Sequence, residues 1–170
     1  PVDGPRVALD AADNAVIAGS TSSPDFPIVH AIQPTYGGGE FDGFVARFSN
    51  DLGTLVQSTY FGGGRGDFAA GIAVDAGGNV YIAGSTASST LPGTAGAAQP
   101  SHSTQTDSFD AFVAKFDGTL TSLARATYLG GGGSDIANGL ALDAHGNVFV
   151  AGHTSSTNFP GTAGGAQPTF

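Results

Sequence analysis

Asp75-Ala76-Gly77-Gly78-Asn79-Val80-Tyr81-Ile82-Ala83-Gly84-Ser85-Thr86 joins a Gly-rich turn to an alternating run of β-branched, aromatic and small residues. The same pattern occurs at Asp10–Thr21 and again at Asp143–Thr154, 65 residues before and 68 residues after the quoted copy. A nearly constant spacing of this length is the signature of a repeat architecture. The chain is therefore expected to consist of similar structural units in series.

Further short motifs recur at nearly the same offset, so the similarity is not a chance match of one motif. They are Phe26-Pro27, Leu91-Pro92 and Phe159-Pro160; Gln33-Pro34, Gln99-Pro100 and Gln167-Pro168; Phe41–Phe48 with Phe109–Phe116; and Thr59–Gly63 with Thr127–Gly131. We divide the chain into repeat 1 at residues 1–71, repeat 2 at 72–139 and the first half of repeat 3 at 140–170.

Each unit contains four strand-like segments. In the middle unit they are Gly71–Asp75, Asn79–Gly84, Ala111–Phe116 and Leu123–Leu129. Period-two alternation bounded by Gly and Asp turns predicts strands, and no window has the pattern of a capped helix. Four short antiparallel strands per repeat predict an all-β protein of about 2.5 β-propeller blades. A β-solenoid is the alternative, but its coils are much shorter than this period.

The chain resembles the SBBP repeat, which is named for seven-bladed β-propellers. The resemblance rests on the turn-and-strand motif, the Gln-Pro pair, Phe109-Asp110-Ala111-Phe112-Val113-Ala114-Lys115 and Tyr128-Leu129-Gly130-Gly131. The turn and strand alone are also similar to NHL repeats. The resemblance implies a secreted or surface-exposed bacterial propeller within a larger protein. It brings no established catalytic residues to transfer to this chain.

Fewer than three blades are less than the four that closed propellers typically need. Exposed blade faces and strand edges promote association. We therefore expect either further blades on the same polypeptide or other copies of the chain as partners, in a ring or a filament. The chain lacks Met at position 1, which is also expected of a processed or longer product.

Composition narrows the choice of partners. The chain has five Lys and Arg residues and fourteen Asp and Glu residues, so its net charge is −9. This negative charge disfavours nucleic acid and anionic membranes as partners. No apolar run reaches the roughly 20 residues of a membrane span, and no signal-peptide pattern is present. The absence of Cys excludes disulfides and thiolate sites.

The loops between the second and third strands are long, about 87–108 in the middle unit, and in a propeller they open on the same face as the interblade loops. Long loops inside compact domains often carry function, so this face is the predicted binding face. An equally open alternative is that these loops only cover the blades, through Phe26, Leu91 and Phe159.

Acidic residues raise the question of a metal site, whose existence the sequence leaves unknown. The turns that begin at Asp10, Asp75 and Asp143 lack the length and the final Glu of an EF-hand loop, so Asp–Asn turns are favoured over calcium loops. Asp67 and Asp135 recur in the interblade loops, and Asp42 and Asp110 recur before the third strand. These four could converge on a cation such as Ca²⁺, although bonding to backbone amides is more common for Asp in Gly-rich loops. No other cofactor is expected.

Other motifs point away from specific activities. Gly62-Gly63-Gly64 and Gly130–Gly133 lack the Lys and the helix of a phosphate loop, so they predict turns. Arg65-Gly66-Asp67 spells a cell-adhesion tripeptide, but the next unit has Gly133-Ser134-Asp135 in its place, which favours a chance match.

Histidines and glutamate do not form a recognisable catalytic set. His30, His102, His145 and His153 occupy unmatched positions without metal-ligand spacing, and Glu40 is the only glutamate. His153 replaces Ser20 and Ser85, which favours a surface or interblade hydrogen bond.

We therefore predict a non-enzymatic extracellular propeller module for surface display, adhesion or self-assembly. The alternatives are a carbohydrate- or cation-binding module, for which Tyr36 and Phe170 are weak aromatic candidates, and a propeller lyase or hydrolase. The enzyme alternative predicts unmatched polar residues at the central channel, whereas the innermost strands carry Ile72, Ala73, Val74 and Leu140, Ala141, Leu142.

Overall fold

The computed structural model describes residues 6–103 and 108–169, and these form an all-β structure of three antiparallel sheets. The strands of the first sheet are β1 Arg6–Leu9, β2 Ala15–Thr21, β3 Asp42–Phe48 and β4 Leu55–Phe61. The second sheet contains β5 Asp67–Val74, β6 Val80–Thr86, β7 Asp110–Phe116 and β8 Leu123–Leu129, and the third contains β9 Asp135–Leu142 and β10 Val148–Thr154. No helix occurs in the described residues, and so none that is long and apolar enough to cross a membrane.

Each four-stranded sheet is a meander in chain order, β1-β2-β3-β4 and β5-β6-β7-β8. This is the blade topology that the repeat predicts, and it confirms the propeller fold class. The two strands of the third sheet are the counterparts of β5 and β6, as expected for the first half of a further blade. The division into repeats at residues 71 and 139 stays a prediction.

The turn between the first two strands of each blade is closed by its own side chains. Oδ1 of Asp75 accepts hydrogen bonds from the backbone N–H groups of Gly77 and Asn79, both at 2.9 Å. The Asn79 amide donates to the other carboxylate oxygen at 2.8 Å, and Gly78 takes a φ of 82°, which favours glycine. Asp10–Asn14 and Asp143–Asn147 make the same bonds. These contacts confirm the Asp–Asn turns predicted in place of calcium loops.

The first strand of the second blade begins at Asp67, four residues earlier than the predicted Gly71. A bulge between Ala69 and Gly71 shifts the register, so that the residues before it still pair with β6, with Asp67 opposite Thr86. Aspartate and alanine have low strand propensity, so the residues before Gly71 carry little local signal for a strand. In the third sheet β9 likewise begins at Asp135, well before Leu140.

The core lies between blades, where their apolar faces meet. Phe61 of the first blade packs against Phe112 and Phe116 of the second, with ring centroids 5.2 and 5.7 Å apart. Between the second and third sheets a smaller cluster centres on Ala83, Ala111 and Ala137. Along β7, Phe112, Ala114 and Phe116 are buried while Val113 and Lys115 are half-exposed, which confirms the predicted alternation.

Candidate functional site

The loops 22–41 and 87–103 lie on the same face as the interblade loops 62–66 and 130–134, as predicted. Hydrogen bonds join the two kinds of loop: the Ala87 N–H donates to the Gly66 carbonyl at 2.9 Å, and the Arg65 N–H to Oγ of Ser88 at 2.9 Å. In the third sheet the Ser155 N–H donates to the Ser134 carbonyl at 2.9 Å. We call this surface the loop-rich face.

The long loops are anchored to the blades beneath them. The Tyr60 hydroxyl of β4 donates to the Ser23 carbonyl at 2.7 Å and accepts from the Phe26 N–H at 3.0 Å, and the Phe26 ring packs against Phe44 at 4.7 Å. Leu91 is buried in the core. Phe26 and Leu91 therefore do cover the blades, which the sequence left open as the alternative role of these loops.

The recurring Gln-Pro landmark has a structural explanation. The Gln33 side-chain oxygen accepts from the Gly62 N–H at 3.1 Å, and the backbone N–H of Gln33 donates to Oγ1 of Thr59 at 2.9 Å. Gln99 makes the same pair of bonds to Gly130 and Thr127 in the second blade. Each glutamine thus holds a long loop against the interblade loop.

Asp67 is the centre of the first interblade junction. Its Oδ2 accepts from the Gly63 N–H at 2.8 Å and from Oγ of Ser88 at 2.9 Å, and its Oδ1 accepts from the Thr86 hydroxyl. Burial raises the pKa of this carboxyl, and the hydrogen bonds act in the opposite direction. Asp135 repeats the arrangement with Gly131, Ser156 and Thr154. We call each set the aspartate bracket.

Asp42 and Asp110 lie beside the brackets, so the four acidic residues converge as two pairs. A Cβ atom on Gly62 would be 2.7 Å from Oδ2 of Asp67 and 2.9 Å from Oδ1 of Asp42. In the second junction, a Cβ on Gly130 would lie 2.6 Å from Asp110 and 2.8 Å from Asp135. Glycine at these positions leaves room for two carboxyl groups.

The donors around these pairs favour hydrogen bonding over metal binding. A Ca²⁺ site presents six to eight oxygen ligands, whereas Asp67 and Asp135 face N–H and O–H donors. In residues 6–103 and 108–169 no group of three or more His, Asp or Glu side chains is placed to hold a metal ion. The amide-bonding role is thus the one that the geometry supports for these aspartates.

One carboxylate oxygen differs between the two junctions. Ser103 donates its N–H to Oδ2 of Asp110 at 2.7 Å and its hydroxyl to Oδ1 at 2.6 Å. At the equivalent place Gly37 donates its N–H to Oδ2 of Asp42 at 2.6 Å but has no hydroxyl. Oδ1 of Asp42 is therefore buried without a hydrogen-bond partner. A side chain at Gly37 would collide with the Gly63 carbonyl oxygen, so the chain cannot supply the missing donor there.

This difference predicts opposite effects of two amide substitutions. Burial and the nearby Asp67 carboxylate raise the pKa of Asp42 from 3.8 to about 6. A raised pKa in the folded state means that the contribution of Asp42 to stability is present below about pH 4 and is lost as the pH rises through about 6. Asp42→Asn removes that loss, so we expect it to raise the free energy of unfolding at pH 7 by about 1–2 kcal/mol.

Chemical unfolding followed by circular dichroism between pH 4 and 8 measures the effect of Asp42→Asn. The matched variant Asp110→Asn loses acceptor capacity toward Ser103 and should be destabilised by about 1 kcal/mol at pH 7. Equal effects of the two substitutions would contradict the proposed role of the unpartnered oxygen.

The remaining candidate residues are dispersed. Asp67 is fully buried, so Arg65-Gly66-Asp67 does not present its carboxylate as an adhesion motif would. Tyr36 packs edge-on against Tyr60 at 5.8 Å. Phe170 lies outside the described residues.

The four histidines are also dispersed. The His102 ring contacts the Tyr128 ring edge-on at 5.7 Å, whereas His30 and His145 are exposed in loops. His153 is exposed on β10 and lies within hydrogen-bond distance of Asn138, which makes it a surface contact within one sheet.

Sequence reasoning missed a cavity of about 600 Å³ where the three sheets meet at the loop-rich face. Three of its lining residues, Glu40, Asn138 and His153, are polar and break the repeat: their counterparts are Ser108, Ala70 and Ser85. Position-by-position comparison of the repeats could have identified them. The enzyme alternative predicts unmatched polar groups of this kind at the central channel.

A family model described as the SBBP beta-propeller repeat matches residues 58–92 and 125–160. Each match runs from the fourth strand of one blade through the interblade loop to the first two strands of the next. Both aspartate brackets fall inside the matched segments, so the repeat unit is centred on the junction between blades. No curated protein matches the chain. The two matches and the four-stranded blades show that residues 58–92 and 125–160 are similar to SBBP β-propeller repeats.

Proposed function

We propose that this chain is a non-enzymatic, extracellular propeller module that acts by packing blade against blade, in self-assembly or in surface display. The observation that carries the proposal is the contrast between equivalent positions. Val16 of β2 and Tyr81 of β6 are 0% and 5% exposed, whereas their counterpart Phe149 on β10 is 58% exposed. A further blade of the same kind would bury Phe149.

The opposite end of the array shows the complementary surface. Val7 and Leu9 on β1 are 65% and 61% exposed, whereas their counterparts Ile72 and Val74 pack against the core. Val7 and Leu9 lie opposite Ile17 and Ala15, so they share the face of the first sheet that points away from the second blade. Repeating the contact between the first two blades would place this face on the face that carries Phe149.

Such a contact joins two different surfaces, so it propagates head to tail and forms a ring or a filament. The occupant that we propose is another SBBP-type blade, from a second copy or from the same polypeptide. Adhesion would be a consequence of assembly at a cell surface. The absence of Cys and Met and the single lysine support an extracellular location. Antibody labelling of intact cells tests that location, which labelling only after permeabilisation would refute.

Light scattering of the purified chain over a range of concentrations tests assembly. We expect the particle mass to rise with concentration, and Phe149→Asp to return the particle to the mass of one chain because it places a charge in the contact. Leu52→Asp is the matched control: Leu52 is 68% exposed in the turn between β3 and β4, far from either blade face.

A monomer at every concentration, or equal effects of Phe149→Asp and Leu52→Asp, would refute assembly between copies. The neighbouring blade comes either from a second copy or from the same polypeptide. The intact mass of the denatured protein from its native source distinguishes these two cases. A polypeptide several times heavier than this chain would show that the blades are continuous.

A further inference from the structure

The cavity at the loop-rich face is built by all three sheets. Its walls include Phe41 and Glu40 before β3, Phe68 on β5, and Asn138 and His153 from β9 and β10. A volume of about 600 Å³ lies within the range of small-molecule sites. Blade packing alone does not account for its polar side chains, because the repeat has other residues at their positions.

One wall of the cavity is aromatic. The Phe68 ring lies 5.3 Å from Phe41 and 5.8 Å from Phe109, centroid to centroid. All three rings are only partly buried, unlike Phe61 and Phe112 in the core. They form a continuous ring surface that a ligand can contact.

Polar groups also line the cavity. Asn138 Nδ2 lies 3.3 Å from Nδ1 of His153. The two side chains therefore lie within hydrogen-bond distance of each other. Glu40 adds an exposed carboxylate to the lining.

Acidic residues outnumber basic ones around the cavity. No Lys or Arg occurs among its described lining residues, and Arg6 donates from Nε to the carbonyl oxygen of the lining residue Ala70 at 2.8 Å. Three buried aspartates, Asp42, Asp67 and Asp110, are the sequence neighbours of the three phenylalanines. The whole chain has a net charge of −9. A negative field combined with exposed aromatic rings attracts organic cations and repels anions.

We propose that this cavity binds a small organic cation with an alkylammonium group, which contacts Phe68 and its neighbouring rings and is attracted by Glu40. Charge complementarity and the aromatic wall select this ligand class over a neutral sugar. This binding is independent of blade assembly, since Phe149 and the first sheet's free face take no part in the cavity lining.

Calorimetric titration with choline and with its uncharged counterpart 3,3-dimethylbutan-1-ol tests the proposal. The two compounds have nearly the same shape, so only the charge distinguishes them. We expect choline to bind about tenfold more tightly than the alcohol, and added salt to weaken choline binding. Equal affinities, binding of glucose in preference to choline, or no choline binding to the folded chain would overturn the proposal.

Two variants locate the binding. Phe68→Leu keeps an apolar side chain but removes the ring, and Glu40→Gln removes the charge from an exposed side chain without affecting the core. Each should weaken choline binding about fivefold to tenfold. Asp25→Asn is the matched control for Glu40→Gln: it removes a charge from an exposed loop residue outside the cavity lining and should leave the affinity unchanged. Unaltered binding by folded Phe68→Leu and Glu40→Gln would show that choline binds elsewhere and would overturn the assignment, whereas the Phe149→Asp experiment reports separately on assembly.

Discussion

Asp67→Ala is expected to lower the free energy of unfolding by about 3–5 kcal/mol, because it leaves three donors without their acceptor. Those donors are the Gly63 N–H and the hydroxyls of Thr86 and Ser88. Both hydroxyl residues are at most 1% exposed, so water cannot readily replace the lost carboxylate. Urea unfolding at pH 7, followed by tyrosine fluorescence and circular dichroism, measures the loss.

Asp25→Ala is the control for Asp67→Ala. Asp25 is exposed in the first long loop, and its replacement should change stability by less than about 0.5 kcal/mol. Asp67→Ala should also speed hydrogen exchange at Gly63 and Arg65, since the bracket orders the interblade loop. A stability loss no greater than that of Asp25→Ala would show that the bracket does not hold the junction together.

Gly84→Ala is expected to destabilise the chain by more than about 4 kcal/mol, or to prevent folding. Gly84 on β6 lies opposite the bulge in β5, and a Cβ there would overlap the Phe68 carbonyl oxygen and lie 2.8 Å from its carbonyl carbon. The obstruction is backbone, so it can move only if the bulge itself rearranges. Gly152 faces Ile136 in the same way in the third sheet.

Gly64→Ala is the matched substitution for Gly84→Ala. Nothing lies within 4 Å of a Cβ on Gly64, and its φ is not in the left-handed region. Alanine there should be neutral or stabilising by about 0.4–1 kcal/mol, because it restricts the unfolded chain. Thermal unfolding of both variants checks the contrast. Similar melting temperatures would contradict a steric role for Gly84.

Strand identity was largely predictable, and the exceptions have a common cause. The segment Leu123–Leu129 agrees with β8 at both ends because its alternation is bounded by clear turns. The sequence predicts a strand only from Gly71, whereas β5 begins at Asp67, because the bulge between Ala69 and Gly71 interrupts the alternation on which strand prediction depends. The pairing of Asp67 with Thr86 compensates for the weak local propensity.

The candidate site was predictable only in part. Recurrence of Asp42, Asp67, Asp110 and Asp135 in phase with the repeat indicated that these residues act together, and they do lie in pairs. Their different hydrogen bonding was not predictable, because only the tertiary structure shows that Ser103 and its equivalent Gly37 contact these aspartates, and only Ser103 has a hydroxyl to donate.

By itself, the sequence determined the four-stranded unit, the Asp–Asn turns and the order of the blades. These depend on alternation and turn chemistry between near neighbours, which a repeat displays several times over. Only the tertiary structure decided that Oδ1 of Asp42 has no partner and that Glu40, Phe68 and His153 line one cavity. Such contacts join residues on different blades. Packing between the sheets sets the positions of the blades relative to one another, and the spacing of residues along the chain does not predict that packing.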